Sequence, residues 1–153
     1  MKKWGRILAV AALMISGASA ANASDMATPE EAKELTIKAM ALVESQGKDA
    51  AFKAFAQEGG EFLPKDLYMF CMDLEGVMTF HAKKPQLAGK NLMSFNKYGD
   101  MLFKDMIDKA KADGEGWVNY KWPYPGSEEI REKASYIKTD AAKSFFCGAG
   151  AYK

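Results

Sequence analysis

The stretch from Gly116 to Lys138, GWVNYKWPYPGSEEIREKASYIK, constrains the fold of this chain more than any other. Large side chains alternate with smaller or polar ones between Trp117 and Trp122, which is typical of a half-buried strand. Two prolines, a glycine and a serine follow within residues 123–127 and predict a turn, and alternation resumes in the final KASYIK. We therefore predict a long β-hairpin that carries aromatic side chains and a lysine.

A helix is predicted well before this hairpin. Thr28 can act as its N-cap, Pro29 occupies the first helical position, and Glu31 can complete a capping box. The helix is expected to end near Gln46, with Gly47 just past its end. Apolar residues at spacings of three and four give the helix one buried face: Ala32, Leu35, Ala39, Leu42 and Val43.

The rest of the chain predicts a second short helix, two strands, a third helix and a last strand. In chain order these are a helix capped by Asp49 and ended by Gly59 and Gly60, strands over Asp66–Met72 and Val77–His81, an irregular loop over 82–95, a helix over about Asp100–Ala112, and a strand over Ser144–Tyr152. This order predicts an α+β fold with a five-stranded antiparallel sheet. A chain of 153 residues has room for one such domain.

The N-terminus has the pattern of a secretory signal peptide. Residues 1–6 are basic, residues 7–15 are apolar, and Ala18-Ser19-Ala20 fits a cleavage site, with Ala21-Asn22-Ala23 as a second candidate. We expect a signal peptide over 1–23, one domain over 24–153, and a periplasmic protein. The alternative is an uncleaved N-terminal anchor. No other apolar run is long enough for a membrane span, so no membrane insertion is expected after cleavage.

Bulk charge argues against a nucleic-acid partner. The formal net charge is +1, and loss of the three basic residues in the signal segment leaves 18 basic against 20 acidic residues, or about −2. Cys71 and Cys147 are the only cysteines, and no Cys-x-x-Cys motif is present. In an oxidising compartment an even number favours a structural disulfide, and two buried free thiols are the alternative.

Several motifs in a fixed order resemble the single Cache domain family, type 2 subgroup, whose members are extracytoplasmic relatives of PAS domains. The hairpin resembles the family's GWxxYxWPxP and KxSYxK strands, LYMFCMDLEGVMTFH with PQLAGKNL resembles its first two strands and the next loop, and GAGAYK resembles its last strand. The resemblance implies a PAS-like sheet with a long N-terminal helix packed across it. It also implies that the first and last strands are neighbours, which would bring Cys71 and Cys147 together as a disulfide.

The same resemblance implies a ligand pocket. Lys133 is then the partner of a ligand carboxylate, while Tyr120, Trp122, Tyr136 and His81 shape and cap the pocket. Each residue also has a simpler interpretation: the aromatics pack in the core, Lys133 is solvated, and His81 holds a loop by a hydrogen bond. In a regular strand Lys133 and Tyr136 face opposite sides, so both can line one pocket only if the pairing is irregular.

The predicted function is binding or sensing of a small organic acid, a short-chain carboxylate, without chemical change. We expect no cofactor and no metal site, and we expect a membrane receptor or transporter to read the bound state. Two alternatives remain open: a structural or protein-interaction module, and the sensor part of a chemotaxis or kinase system. An enzyme would depend on His81, Tyr120 or acidic residues, and no catalytic motif accompanies them. Asn96 and Phe145-Phe146-Cys147 depart from the family wording and leave the ligand's identity open.

Overall fold

Three α-helices pack on the two faces of one five-stranded antiparallel sheet in the computed structural model, which describes residues 25–153. The predicted signal peptide, its cleavage sites and the expected first residue of the domain, Ser24, all lie outside these residues. The elements are α1 (Pro29–Gln46), α2 (Lys48–Ala56), β1 (Phe70–Asp73), β2 (Met78–His81), α3 (Leu102–Asp113), β3 (Glu115–Pro123), β4 (Ile130–Thr139) and β5 (Phe145–Tyr152). The predicted α+β class is therefore confirmed.

The sheet has the strand order β2-β1-β5-β4-β3. The predicted hairpin forms β3 and β4, and Trp117 pairs with Tyr136 while Tyr120 pairs with Lys133. The last strand, β5, lies between β4 and β1 and joins the two hairpins into one sheet. The first and last strands are thus neighbours, as the family resemblance implied.

Helix α1 begins and ends where its sequence predicts. The Thr28 side chain accepts a hydrogen bond from the Glu31 backbone N–H, the Glu31 carboxylate accepts one from the Thr28 N–H, and Gly47 ends the helix with a φ of 82°. The predicted cap of the next helix is wrong. Because α2 begins at Lys48, immediately after Gly47, Asp49 lies inside the first helical turn and makes no capping bond.

The first strand is shorter than predicted at its N-terminal end. Residues 67–69 are buried but precede the ladder, because β2 has only four residues and its pairing stops where His81 meets Phe70. The chain from Asp66 to Tyr68 is therefore free of regular strand pairing. This lets the segment bring its side chains under the end of β4, where the site lies.

Two apolar cores lie on opposite faces of the sheet. Helices α1 and α2 cover one face, with residues such as Leu35, Phe55 and Ala149 between the layers. Helix α3 and the loop before it cover the other face, with residues such as Phe70 and Met106. Side chains alternate between these cores along each strand, so the parity of a residue decides which core it enters. None of the helices within residues 25–153 is long and apolar enough to cross a membrane.

A disulfide joins β1 to β5. Cys71 and Cys147 are directly paired across the two strands, their Cα atoms are 4.0 Å apart, and both residues are fully buried. The predicted pairing is confirmed, and the alternative of two buried free thiols is wrong. The bond closes a loop that runs from the first strand to the last, and it lies in the core beneath α1.

Candidate ligand-binding site

A small cavity lies between the sheet and α3. The volume open to the centre of a water molecule is about 10 Å³, which is room for roughly one water. Three predicted site residues, His81, Tyr120 and Trp122, line it. The other lining residues are Tyr68, Phe70, Leu102, Phe103 and Met106. The walls are therefore mostly aromatic and apolar, with hydroxyl and ring N–H groups at a few points.

Lys133 lies next to this cavity and is completely enclosed, with only 1% of its surface exposed. Its Nζ atom is 4.0 Å from the centre of the Tyr68 ring and 4.6 Å from the centre of the Tyr152 ring. Among residues 25–153, no carboxylate oxygen lies within 4.0 Å of that nitrogen. Lys133 does not itself line the cavity, but the Tyr68 ring that its Nζ atom faces does.

Burial lowers the pKa of Lys133 to about 7, and the charge of Asp66 opposes this shift only in part. An ammonium group removed from water loses hydration, so its neutral form is favoured unless an anion lies close. Two aromatic faces offer a cation a weaker substitute for water. The lysine thus faces two aromatic rings and lacks the close carboxylate that normally accompanies a buried ammonium group.

A glycine on the neighbouring strand makes room for this lysine. A Cβ atom on Gly150 would lie 2.8 Å from Lys133 Cε and 2.1 Å from Ser135 Oγ, distances that no real side chain shows. The lysine stem can cross β5 only because that position has no side chain. The terminal GAGAYK motif therefore has a physical role at the site.

Gly150→Ala is expected to displace both the lysine stem and the Ser135 hydroxyl. Overpacking of this kind typically costs about 1 to 3 kcal/mol, so the melting temperature should fall by several degrees. Thermal unfolding followed by circular dichroism measures the effect. Ala151→Gly, which removes a methyl group from the opposite core, is the matched change on the same strand. An unchanged melting temperature for Gly150→Ala would show that the Lys133 side chain can lie over β5 in another position.

Buried tyrosine hydroxyls form short hydrogen-bonded chains around the lysine. Tyr152 donates to the Pro123 carbonyl at 2.8 Å, so Tyr68, 3.1 Å away, donates to the Tyr152 hydroxyl. On the other side, the hydroxyls of Tyr120 and Ser135 are 2.7 Å apart. Burial raises the pKa of Tyr68, Tyr120 and Tyr152 above the usual tyrosine value, so all three are neutral hydroxyls at physiological pH.

His81 both holds a loop and faces the cavity. Its Nδ1 atom accepts hydrogen bonds from the backbone N–H groups of Lys83 and Lys84, at 3.3 and 3.0 Å. A neutral imidazole with an accepting Nδ1 carries its proton on Nε2. Burial, with the nearby charges of Lys133 and Lys84, lowers the pKa of His81 to about 3, so the ring is a neutral donor. Nδ1 therefore makes the loop-holding hydrogen bonds of the simpler interpretation. Nε2–H remains as the donor for the predicted ligand contact.

Trp122 closes the cavity from the side of the loop. Its ring centre lies 5.8 Å from Phe95, 5.6 Å from Tyr98 and 5.8 Å from Phe103, and 6.0 Å from His81. The loop before α3, which the sequence leaves irregular, thus supplies two of the aromatic contacts.

Tyr136 is placed away from the cavity. Pairing between β3 and β4 is regular throughout, so Tyr136 faces the side opposite Lys133. Its hydroxyl donates to Glu115 at 2.8 Å, and its ring packs against Trp117 at 5.2 Å under α1. The condition for a shared pocket, an irregularity between the two residues, is absent from this hairpin. The prediction that Tyr136 helps to form the pocket wall is therefore wrong.

Sequence reasoning missed three residues that matter for the site: Tyr68, Tyr152 and Asp66. Tyr68 and Tyr152 form the ring faces beside Lys133, and Asp66 is the carboxylate whose charge acts on it. Tyr68 and Phe70 alternate within LYMF, which could have indicated one common face. No signal in the sequence links Asp66 to a lysine that lies far along the chain.

The arrangement offers a cation and neutral hydrogen-bond donors around a small apolar space. Among residues 25–153, no group of three or more His, Cys, Asp or Glu side chains is placed to hold a metal ion. Such a set suits an organic anion with a short apolar part, since the cation receives the charge and the walls receive the carbon atoms. These features are those of a candidate ligand-binding site.

Solved structures place the domain in a class of sensors. A periplasmic sensor domain of a chemotaxis protein matches with a TM-score of 0.62 and 28% identity, covering 80% of this chain and 88% of that one. A Cache chemosensory domain solved for its recognition of carboxylic acids matches with a TM-score of 0.62 and 26% identity, covering 80% and 86%. A methyl-accepting chemotaxis protein of Vibrio parahaemolyticus matches with a TM-score of 0.67 and 25% identity. The class is that of extracytoplasmic sensor domains.

The chain belongs to the Cache domain family, whose profile matches residues 22–153. The chain is 33% identical over 88 residues to the methyl-accepting chemotaxis protein McpP of Pseudomonas putida, which is 57% of this chain and 16% of McpP. It is 30% identical over 89 residues to the sensor histidine kinase MctS of Rhizobium johnstonii, which is 58% of this chain and 19% of MctS. The matches span less than a fifth of either relative. Cache domains are sensor domains of chemotaxis proteins and kinases on the outer side of the membrane.

Proposed function

We propose that this Cache domain binds a short-chain carboxylate in the periplasm, and that a membrane receptor or transporter reads its occupancy. The observation that carries the proposal is Lys133, a fully buried lysine with no carboxylate within 4.0 Å among residues 25–153. A buried ammonium is costly without a partner charge. A ligand carboxylate would supply that charge, which gives binding a strong driving force.

The carbon atoms of such a ligand have an apolar place to go. Leu102, Phe103 and Met106 of α3 line the cavity opposite the sheet. The cavity has room for only about one water, because the centre of a water molecule can occupy only about 10 Å³ of it. Even acetate therefore requires the cavity to widen. We infer that the Tyr68 ring, the loop over 82–101 and α3 move apart when the ligand enters. A short acid fits this requirement better than a long one.

Binding without chemical change is the proposed outcome. His81, with its pKa lowered to about 3, is a poor proton acceptor at neutral pH, and the nearby tyrosines remain protonated. Among the residues that line the cavity, none is therefore a general base at neutral pH. In McpP and MctS the matching segment is a small part of a longer signalling protein. This supports a role in signalling, to which the domain contributes recognition.

A thermal-shift screen against acetate, propionate, butyrate, lactate and pyruvate tests the proposal. A ligand at one hundred times its dissociation constant stabilises the folded state by about 2.7 kcal/mol, so a clear rise in melting temperature is expected for at least one acid. Propionamide is the matched control for propionate, because it keeps the size and loses the charge. Stabilisation by propionamide equal to that by propionate would argue against a carboxylate site.

A structural or protein-interaction module with no exchangeable ligand is the second candidate. The observation in its favour is the cavity itself, which the domain's own aromatics nearly fill. Native mass spectrometry of the purified protein separates the two candidates. A released organic acid supports the sensor; a protein of bare mass that no acid in the screen stabilises supports the module.

A further inference from the structure

The surroundings of Lys133 determine how its charge responds to pH. Three strands, β2, β3 and β5, and the chain before β1 present titratable groups toward it. These groups are Asp66 and Tyr68 from the chain before β1, His81 from β2, Tyr120 from β3 and Tyr152 from β5. Helix α3 presents only apolar residues to the cavity, among them Leu102 and Met106.

None of these groups forms a close ion pair with the lysine. Asp66 is only 8% exposed, and one of its oxygens accepts the Ala27 backbone N–H at 2.7 Å. The other oxygen, Oδ2, is buried without a hydrogen-bond partner, and neither oxygen lies within 4.0 Å of Lys133 Nζ. The remaining neighbours are the neutral rings of tyrosine and histidine. The amine is thus enclosed by groups that offer an ammonium little compensation for lost water.

We propose that carboxylate binding is coupled to proton uptake by Lys133, so that ligand affinity falls as the pH rises above neutrality. The proposal rests on the carboxylate-binding function proposed above and assigns its regulation. In the step, the lone pair of Lys133 Nζ takes a proton from solvent, and the resulting ammonium pairs with the incoming carboxylate. The domain would then report an organic acid more strongly in neutral or mildly acidic surroundings.

The direction follows from the free state. Burial lowers the pKa of Lys133 to about 7, so above that pH the free protein holds mostly the neutral amine. A bound carboxylate stabilises the ammonium and raises the pKa again. Between these two values each ligand must bring a proton with it, and affinity falls by up to tenfold per pH unit. Below pH 7 the lysine is already charged and affinity becomes independent of pH.

Other groups do not produce the same dependence. His81 titrates near pH 3, and the buried tyrosines titrate above their usual range, so none changes charge between pH 6 and 9. A free short-chain acid, with a carboxyl pKa near the reference range of roughly 4, is ionised throughout this interval. Proton uptake in this window is therefore a signature of Lys133.

Isothermal titration calorimetry with sodium propionate, in buffers of different ionisation enthalpy, counts the protons. We expect uptake of about 0.9 proton per propionate at pH 8 and about 0.1 at pH 6, with Kd rising about 50-fold from pH 7 to pH 9. Lys121→Met is the control, because Lys121 is an exposed lysine on the adjacent strand and its removal should leave the proton count unchanged. Binding with the same heat in all buffers at pH 8 overturns the proposal.

A second measurement keeps the inference separate from the proposed function. The ¹³Cε chemical shift of Lys133 in the ligand-free protein should titrate with a midpoint near 7. A midpoint above 9 overturns the coupling even if propionate binds well. Failure of propionate to bind at either pH counts against the proposed function, while the titration of the free protein still decides whether Lys133 can take up a proton.

Discussion

Lys133→Met is expected to abolish measurable binding of a short-chain carboxylate, with a loss of about 2 to 5 kcal/mol, or roughly 30- to 5,000-fold in Kd. The reason is that the ligand's charge then enters the enclosed site without a partner. Methionine has a similar length and no charge, so it can occupy the space between the Tyr68 and Tyr152 rings. The variant is also freed from the cost of burying an ammonium, and we expect it to fold at least as stably as the original.

Tyr136→Phe is the matched control on the same strand. The hydroxyl it removes donates to Glu115 on the opposite face of the sheet, so carboxylate affinity should stay within about twofold. Calorimetry on both variants, with circular dichroism to check folding, gives the comparison. If folded Lys133→Met binds within threefold of the original protein, the lysine is a structural residue and the proposed site is misplaced.

Loss of the Cys71–Cys147 disulfide has the largest expected effect on stability. The cysteines are 76 positions apart in the chain, and closing a loop of that length stabilises the folded state by roughly 4 kcal/mol in the chain-entropy model. For a domain of this size such a loss corresponds to a fall in melting temperature of about 15 °C. The paired cysteines also lie in the core beneath α1, where alanine would leave unfilled space.

The Cys71→Ala/Cys147→Ala double variant and the reduced original protein test this together. Both should unfold at markedly lower temperature than the oxidised protein, and the oxidised protein should show no reactive thiol after unfolding without reductant. Reductant should not change the melting temperature of the double variant, which controls for other effects of the reagent. Two titratable thiols in the unfolded, unreduced protein would contradict the disulfide.

Much of the fold could be predicted because local signals agree with the tertiary structure. The capping box at Thr28, the glycine at 47 and the spacing of apolar residues determine α1 to the residue. The alternation within the Trp117 hairpin determines β3 and β4, although both strands extend beyond the predicted bounds. The start of β1 was predicted too early, because strand length depends on the partner. The partner strand β2 is short, and no local sequence pattern in β1 indicates the length of its partner.

The candidate site was predicted only in part, for a reason of geometry. Sequence proximity and family wording group Lys133 with Tyr136, but regular pairing of β4 sends the two side chains into different cores. Tyr68 lies just before the first strand and Tyr152 ends the last strand, and they meet only because β5 lies between β1 and β4. A glycine at position 150 allows the lysine stem to pass between them. Each of these contacts is long-range.

By itself the sequence determined the elements of this protein: which segments are helices, which form the hairpin, and which family the chain resembles. Those properties arise from neighbours within a few positions, whose side chains and backbone hydrogen bonds are set by helical and strand periodicity. Only the tertiary structure decided that Lys133 is buried without a close carboxylate and that Tyr136 is not its neighbour. Burial and the distances between charges depend on segments far apart in the chain. They set the pKa of the lysine and with it the chemistry that the site can offer.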